Sequence, residues 1–181
     1  LVPFHFWVPS AYTAAPAPVT AVLAGGLKKV GVYAIIRLYF TIFAAAQVGG
    51  FEVPGFSPAG GAAFLGFFGP VFFLLGTASI LLGGLGAVGR SSMDDTFAFS
   101  SIGQVGFIVL PLGVAATVPS LRELGVIAAL LYSFNHGLAK ALLFLASGTI
   151  SDAVGTDRFN SLGGVASNAP QRVETVRAHG I

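Results

Sequence analysis

Four long runs of apolar residues dominate the pattern along this chain. They cover residues 19–46, 62–88, 96–118 and 124–150. Each run is long enough to cross a bilayer as a tilted helix, which needs about 20 apolar residues. The connections between the runs are short and contain Gly and Pro clusters, which are typical of turns. The pattern therefore predicts an all-α, polytopic transmembrane helix bundle with about four full spans.

The two ends of the chain differ from this middle part. The segment before the first run contains Pro3, Pro9, Pro16 and Pro18. Because proline interrupts a helix, we expect this segment to be either interfacial or part of a broken helix. Residues 151–181 are polar and cannot cross a membrane as a helix. The chain opens at Leu1 rather than Met, so we expect a fragment of a longer protein.

The composition supports lipid as the solvent. Apolar residues make up 55% of the chain and charged residues only 9%, with a mean hydropathy of +0.86. A soluble domain carries about 25% charged residues. We therefore expect a multi-pass protein of the cell (plasma) membrane, in contact with the lipid bilayer. The net charge of +2 does not indicate nucleic-acid binding, since the basic residues are scattered.

No metal site or cofactor is predicted. The chain contains no cysteine, which excludes disulfides and thiolate metal sites. Residues 84–89 match the dinucleotide-binding pattern G-x-G-x-x-G. That pattern requires a preceding strand and an acidic residue about 20 positions later. Here it ends an apolar run, and neither Asp nor Glu occurs between Thr96 and Arg122. We therefore interpret the match as chance.

Ionisable residues within the apolar runs are the candidates for function. They are Lys28, Lys29 and Arg37 in the first run, and His136 and Lys140 in the fourth. A charge at the bilayer centre costs about 2.5–3.5 kcal/mol on insertion scales, and such residues usually mark ion or proton pathways. The alternative is that a long side chain reaches the headgroups. We favour that alternative for Lys28, leave it open for Arg37, and favour a functional role for Lys29 and Lys140. A structural hydrogen bond between helices remains open for His136.

The spacing of these residues predicts two polar helix stripes. The first consists of Lys29, Tyr33 and Arg37; the second consists of Tyr132, His136 and Lys140, with Ser133 beside it. Both follow the i, i+4, i+8 spacing that places side chains on one face. Lys28 points about 100° away from Lys29, so it cannot share the first stripe.

The two middle runs show weaker patterns. Ser100 and Gln104 share a face of the third run and could hold water or bind a neighbouring helix. In the second run, small residues recur at helical spacing and predict a face for close helix packing. They are Gly76, Ser79, Gly83 and Gly86.

Several ordered segments resemble the proton-conducting membrane transporter family. The segments are residues 3–9, 15–21, 29–34, 98–106 and 135–144. Residues 98–106 resemble the family motif A-Y-S-S-I-G-Q-x-G, and residues 135–144 resemble H-x-x-x-K-A-x-L-F. The family includes the proton-translocating subunit of the multisubunit Na+/H+ antiporter and the antiporter-like subunits of respiratory complex I and membrane-bound hydrogenases.

This resemblance implies a position for each segment and a role for the basic residues. Residues 1–165 resemble the family's membrane domain from the broken seventh helix to the eleventh, and residues 166–181 form a polar tail. Lys29 matches the family's connecting lysine, and His136 with Lys140 match its eleventh-helix pair. We therefore expect these three residues to relay protons along the membrane midplane. Possible supporting residues are Tyr33, Ser100, Gln104, Tyr132 and Ser133.

The sequence also departs from the family pattern. The acidic residues 94–95 stand where the family often has a basic pair, so any role of that pair is lost. The family's acidic fifth-helix residue, its seventh-helix lysine and its twelfth helix lie outside this chain. We therefore expect that the fragment does not complete a channel by itself.

Two functions follow from the resemblance, and a third interpretation does not depend on it. Residues 4–7 and 29–33 favour an antiporter subunit that exchanges protons for Na+ within a complex of several membrane subunits. The alternative is a proton-pumping subunit of complex I or a hydrogenase, which would make the chain part of an enzyme only by membership. A purely structural scaffold would instead place the lysines at lipid headgroups.

The basic residues outside the runs predict an orientation. The side that holds the tail and the connection at residues 89–95 carries Arg90, Arg158, Arg172 and Arg177, whereas the opposite side carries Arg122. The positive-inside rule then places the tail in the cytoplasm.

Overall fold

The computed structural model describes residues 1–43 and 62–162. These residues form helices and no β-strand, apart from one isolated bridge between Ser92 and Arg158. The α-helices are α1 (Trp7–Ala14), α2 (Ala17–Val22), α3 (Lys28–Ile35), α4 (Ala62–Ala87), α5 (Met93–Thr117) and α6 (Arg122–Val154). The all-α prediction is confirmed.

Shorter helical segments join or extend these helices. A first π-helical segment, Leu23–Leu27, links α2 to α3, and a second, Ile36–Phe43, follows α3. Short 3₁₀ helices occupy Pro119–Leu121 and Phe159–Ser161.

Four helical stretches are long and apolar enough to cross a membrane. They are Ala17–Thr41, Phe68–Ala87, Met93–Thr117 and Pro119–Val154. They correspond to the four predicted runs, so the expected multi-pass membrane protein is confirmed.

The break between α1 and α2 falls within the proline-rich segment, as predicted. Ala15 is extended, and Pro18 lies in the first turn of α2, where proline is tolerated. The Thr20 hydroxyl lies 3.2 Å from the carbonyl oxygens of Tyr12 and Ala15, to which it can donate. This contact ties α1 to α2 across the break.

Helix α5 begins three residues before its apolar run, because polar residues form its first turn. The Ser92 side chain accepts a hydrogen bond from the Asp95 backbone N–H at 3.2 Å and so caps the helix. Asp94 and Asp95 also favour the positive end of the helix dipole. Apolar periodicity alone could not show this boundary.

Helix α5 forms the centre of the bundle. It packs against α4 on one side, against α6 on another, and against α1. In the apolar 18-residue stretch of its span 56% of the residues are buried, compared with 22–28% in the corresponding stretches of the other three spans, so α5 supplies most of the core. Ile108 and Leu112 of α5 are fully buried, and they pack in one cluster with Phe72 and Ala129.

Glycines allow α4 and α5 to approach closely. A Cβ added at Gly83 would collide with the backbone of Gly103, and one added at Gly76 would lie 3.2 Å from the Gly106 carbonyl oxygen. The buried Ser79 donates to the Leu75 carbonyl oxygen at 2.7 Å. The predicted packing face of the second run is therefore confirmed.

Two connections meet at one end of the bundle. The Phe159 N–H donates to the Ser91 carbonyl oxygen at 3.0 Å, and the Met93 N–H donates to the Asp157 carbonyl oxygen at 3.1 Å. The segment after α6 therefore lies beside the connection before α5. Which side of the membrane this end faces stays a prediction.

Some sequence predictions fall on residues 44–61 and 163–181, outside the described part. They are the end of the first run at residue 46 and the polar tail at 166–181. The division of the chain at residue 165 also stays a prediction. The glycine pattern at residues 84–89 lies at the end of α4, and no strand precedes it in the described ranges.

Candidate functional site

Lys29, His136 and Lys140 come together inside the bundle. His136 and Lys140 are only 5% and 3% exposed, and Lys29 is half-buried. The charge of each lysine acts on the His136 ring, and the charge of Lys29 acts on Lys140. Two helices that are distant in the sequence therefore share one basic cluster.

Helix α6 carries its polar residues on a buried face. Ser133, His136, Lys140 and Ser147 recur at intervals of three, four and seven residues, so they lie on one side of the helix. The Lys140 ammonium donates to the Phe97 carbonyl oxygen of α5 at 3.0 Å. Lys140 is thereby held between α5 and α6.

Lys29 is anchored by the first π-helical segment. Its ammonium donates to the carbonyl oxygen of Ala24, which belongs to Leu23–Leu27. A π-helical turn bonds residues five apart rather than four, and such turns are frequent at functional sites. The apolar pattern does not predict this turn, and its only local signal is the Gly25-Gly26 pair.

A glycine crossing places Lys29 beside α6. A Cβ added at Gly25 would lie 3.1 Å from the Gly137 carbonyl oxygen, and one added at Gly137 would lie 2.8 Å from the Gly25 carbonyl oxygen. The same added atom at Gly137 would lie 3.7 Å from Lys29 Cε. Since Gly137 follows His136 directly, this crossing sets how closely Lys29 approaches the histidine.

An open groove of about 630 Å³ lies between the first π-helical segment and α6. Its wall is mostly apolar, and Lys29 and Ser133 are the polar side chains that contribute to it. The Ser133 hydroxyl is buried and has no hydrogen-bond partner among the described residues. The groove therefore brings the edge of the basic cluster to the surface of the described structure.

His136 makes no hydrogen bond with the described residues. Both Nδ1 and Nε2 are buried and unpaired there. Leaving a buried polar group unpaired costs about 1–3 kcal/mol, so an exception of this kind needs a reason. Among the described residues, no hydrogen bond of His136 to another helix supports a purely structural role.

Lys28 does not lie where its sequence position led us to expect. Its ammonium nitrogen lies 5.0 Å from the centre of the Tyr12 ring, and Tyr12 is fully buried. The charges of Lys29 and Lys140 also act on Lys28. The expectation that Lys28 reaches the headgroups is therefore wrong, because α1 covers this side of the helix and offers an aromatic ring.

Of the possible supporting residues, Tyr132 and Gln104 form a contact between α5 and α6, whereas Tyr33 is exposed. The Tyr132 hydroxyl donates to the Gln104 side-chain oxygen, and the Tyr132 ring stacks on Phe107 at 6.1 Å between ring centres. Gln104 thus binds a neighbouring helix, one of the two uses considered for it. Ser100, one turn earlier on α5, is half-buried.

Tyr33 lies outside the basic cluster. Its side chain is 55% exposed, and the Arg37 guanidinium carbon lies 5.8 Å from its ring centre. Tyr33 does follow Lys29 by one helical turn, as predicted. Tyr33 therefore points away from α6, whereas the side chain of Lys29 reaches α6 beside Gly137.

A carboxylate and a serine form a contact that was not predicted from the sequence. The buried Ser147 hydroxyl donates to Asp94 Oδ1 at 2.6 Å and so joins α6 to the start of α5. A signal existed, since Ser147 follows Lys140 by seven residues on the same helix face.

No metal-binding group emerges from the part of the chain that is described. In these ranges no three or more His, Cys, Asp or Glu side chains come together as metal ligands would. The absence of a cofactor stays a prediction.

Comparison with known proteins identifies the family. The sequence profile described as "NADH:quinone oxidoreductase/Mrp antiporter, TM" matches residues 1–173. The chain belongs to this family. It is part of an antiporter-like membrane subunit, which confirms the family suggested by residues 98–106 and 135–144.

Individual relatives point in the same direction. The chain is 35% identical over 169 residues to NAD(P)H-quinone oxidoreductase chain 4 2 of Trichodesmium erythraeum (strain IMS101), a match that covers 93% of this chain and 26% of the relative. It is also 35% identical over 169 residues to NAD(P)H-quinone oxidoreductase chain 4 1 of Synechococcus sp. (strain JA-3-3Ab), covering 93% of this chain and 28% of the relative. The chain thus spans about a quarter of the length of these curated relatives.

A solved structure has the same fold. It is described as the membrane-bound sulfane sulfur reductase (MBS), an archaeal respiratory membrane complex. The match has a TM-score of 0.64 and 24% sequence identity, and it covers 99% of this chain and 37% of that chain. At this identity the likeness concerns the fold alone.

Proposed function

We propose that this chain forms part of the proton path in a pumping membrane subunit of an NADH:quinone oxidoreductase-type complex. The relatives carry the name of NAD(P)H-quinone oxidoreductase chain 4, which supports the complex I alternative better than the Na+/H+ antiporter. Other membrane subunits would be its partners, and other subunits would carry out the electron transfer. The chain would then contribute proton movement to an enzyme without performing the redox chemistry.

Lys29, His136 and Lys140 are the proposed proton relay. The observation that carries this proposal is the buried imidazole of His136. Both of its nitrogens are unpaired among the described residues, and the charges of Lys29 and Lys140 act on it. An imidazole can accept a proton at one ring nitrogen and release one from the other. His136 is thus suited to pass a proton between Lys29 on one helix and Lys140 on the other.

Repulsion among these bases would give the transfer its direction. Placing like charges together in a poorly solvated interior disfavours the charged form of each group. A proton that arrives at Lys29 would therefore favour release of a proton from His136 or Lys140. Hydrogen bonds to the carbonyl oxygens of Ala24 and Phe97 would hold the ammonium groups of Lys29 and Lys140 in position between proton transfers.

Exchange of protons for Na+ is the second candidate function. The family description includes the Mrp antiporter. Residues 4–7 and 29–33 resemble the proton-translocating subunit of that antiporter. The relay would be the same in both functions. The difference would lie in what drives it, a Na+ gradient or electron transfer.

Proton uptake by membrane vesicles that contain the complete complex tests the proposal. We expect uptake that follows electron transfer, that is independent of added Na+, and that falls strongly in Lys140→Ala while quinone reduction continues. Uptake that requires a Na+ gradient and ignores electron transfer would support the antiporter instead. Wild-type uptake in Lys140→Ala would remove Lys140 from the relay.

A further inference from the structure

Lys28 is a base in the bundle interior that the three-residue relay does not use. Its ammonium lies over the ring of Tyr12 in α1, 5.0 Å from the ring centre. We propose that Lys28 is a fourth proton-carrying residue, which forms a branch of the relay toward α1, and that Tyr12 is the residue that positions it. This inference rests on the proposed function, because it assigns a further residue to the same proton path.

Helix geometry makes Lys28 and Lys29 point to different neighbours. Successive residues of a helix are rotated by about 100°, so adjacent lysines cannot face the same partner. Lys29 lies beside Gly137 of α6, whereas Lys28 lies over Tyr12 of α1. The two lysine side chains therefore contact two different helices, which is the arrangement a branch requires.

Tyr12 is held rigidly enough to position a cation. Its side chain is fully buried, and its ring meets the Phe144 ring edge-on, with 5.4 Å between the ring centres and 87° between the ring planes. The Trp7 ring makes a second edge-on contact at 6.3 Å. A cation within about 6 Å of a ring centre is attracted to the ring face, and Lys28 satisfies that distance. The Tyr12 hydroxyl is buried and unpaired among the described residues, so the pocket also contains a free polar group.

The charge of Lys28 is linked to the rest of the basic cluster. The charges of Lys29 and Lys140 act on Lys28, and the charge of Lys28 acts on His136. Within residues 1–43 and 62–162, no carboxylate forms an ion pair with any of these four bases. Mutual repulsion therefore opposes full protonation of the cluster. A proton that binds Lys28 would favour transfer of the proton of Lys29 to His136. When the proton on Lys28 leaves, Lys29 could be protonated again.

Three roles for Lys28 predict different behaviour in two substitutions. A proton carrier must both bind and release a proton. Arginine keeps the positive charge and the attraction to the ring but does not release its proton in proteins. Methionine keeps an unbranched side chain without charge. If Lys28 carries protons, both Lys28→Arg and Lys28→Met should abolish its function. If Lys28 only supplies a fixed charge, Lys28→Arg should be tolerated and Lys28→Met should not. If Lys28 only fills space, Lys28→Met should be tolerated.

The chain offers a matched control for these substitutions. Arg37 also lies over a tyrosine ring, with its guanidinium carbon 5.8 Å from the centre of Tyr33, but this pair is exposed. Arg37→Met removes the same kind of cation–ring contact away from the basic cluster.

The test is proton translocation per electron in vesicles that contain the complete complex, with quinone reduction as the measure of assembly. We expect Lys28→Arg and Lys28→Met each to lower this ratio as far as Lys140→Ala does, since neither side chain can both bind and release a proton. Arg37→Met should remain near wild type. If Lys28→Met impairs assembly, Lys28→Arg alone decides, because it retains the charge and the ring contact.

The outcomes separate this inference from the proposed function. Wild-type ratios in Lys28→Arg or in Lys28→Met, together with a low ratio in Lys140→Ala, would overturn the role of Lys28 and leave the three-residue relay standing. A wild-type ratio in Lys140→Ala would overturn the relay itself. A loss in Arg37→Met as large as in Lys28→Met would show a general effect of removing cations, which also contradicts the proposal.

Discussion

Gly137 and Lys29 lie against each other where α6 crosses the first π-helical segment. A Cβ at position 137 would lie 3.7 Å from Lys29 Cε and 2.8 Å from the Gly25 carbonyl oxygen. The absence of a side chain at Gly137 is therefore what lets the lysine approach His136. The proposed relay would depend on this backbone crossing as well as on its basic residues.

Gly137→Ala should separate the two helices and weaken the relay. The added methyl group would force the Gly25 carbonyl oxygen away, and overpacking of this kind costs about 1–3 kcal/mol. We expect lower thermal stability of the subunit in the detergent-solubilised complex and less proton uptake by vesicles. Gly31→Ala is the matched control, because a Cβ at Gly31 meets nothing within 4 Å. Equal behaviour of the two variants would show that the crossing tolerates a wider spacing.

Gly83→Ala should disturb the packing of α4 on α5. The new Cβ would collide with the Gly103 backbone, which cannot move aside as a flexible side chain can. We expect a loss of about 1–3 kcal/mol of stability, measured by thermal unfolding in detergent. The neighbouring Gly84→Ala serves as the control, since its Cβ would meet no atom within 4 Å. An equally large loss in Gly84→Ala would point to helix flexibility rather than to close packing.

Ser147→Ala should destabilise the end of the bundle near the start of α5. The substitution removes the 2.6 Å hydrogen bond to Asp94 and leaves a partly buried carboxylate without that donor. Hydrogen bonds to charged groups contribute about 1.5–3 kcal/mol, so the unfolding temperature should fall measurably. Ser147→Thr, which keeps the hydroxyl, should lose less. An unchanged unfolding temperature in Ser147→Ala would show that Asp94 does not depend on this donor.

Tyr132→Phe should affect stability more than transport. The variant loses the hydroxyl that binds Gln104 but keeps the ring that stacks on Phe107. A typical hydrogen bond contributes about 0.5–1.5 kcal/mol, so we expect a modest drop in unfolding temperature with near-normal proton uptake. A strong loss of uptake at unchanged stability would instead make Tyr132 a member of the relay.

The spans and the main basic residues could be predicted from the sequence because they depend on composition and length. An apolar run of sufficient length becomes a membrane helix largely irrespective of its neighbours. Lys29 and Lys140 stand out because a base within such a run is energetically unfavourable unless it has a role. The small-residue face of α4 could also be predicted from the sequence, since close helix packing requires small residues at recurrent positions such as Gly76 and Gly83.

Features that depend on neighbouring helices could not be predicted. Lys28 has the sequence context of a residue that reaches the headgroups, and only the position of Tyr12 in α1 shows that it points inward. Tyr33 follows Lys29 by one turn yet lies outside the cluster, because burial is set by where α6 crosses. The π-helical segment Leu23–Leu27 changes the local hydrogen bonding without a distinct composition. The family motifs occur in antiporters and in respiratory subunits alike, so they could not decide between the two functions. Residues 4–7 and 29–33 favoured the antiporter, whereas the names of the relatives favour complex I.

Proton translocation per electron in His136→Gln tests the central claim most directly. Glutamine retains polar hydrogen-bonding atoms but cannot take up and release a proton as imidazole does. The exposed neighbour Asn135 supplies the control, in the variant Asn135→Ala. We predict that His136→Gln lowers the ratio strongly while quinone reduction continues, and that Asn135→Ala keeps the wild-type ratio. A wild-type ratio in His136→Gln would contradict the relay through Lys29, His136 and Lys140.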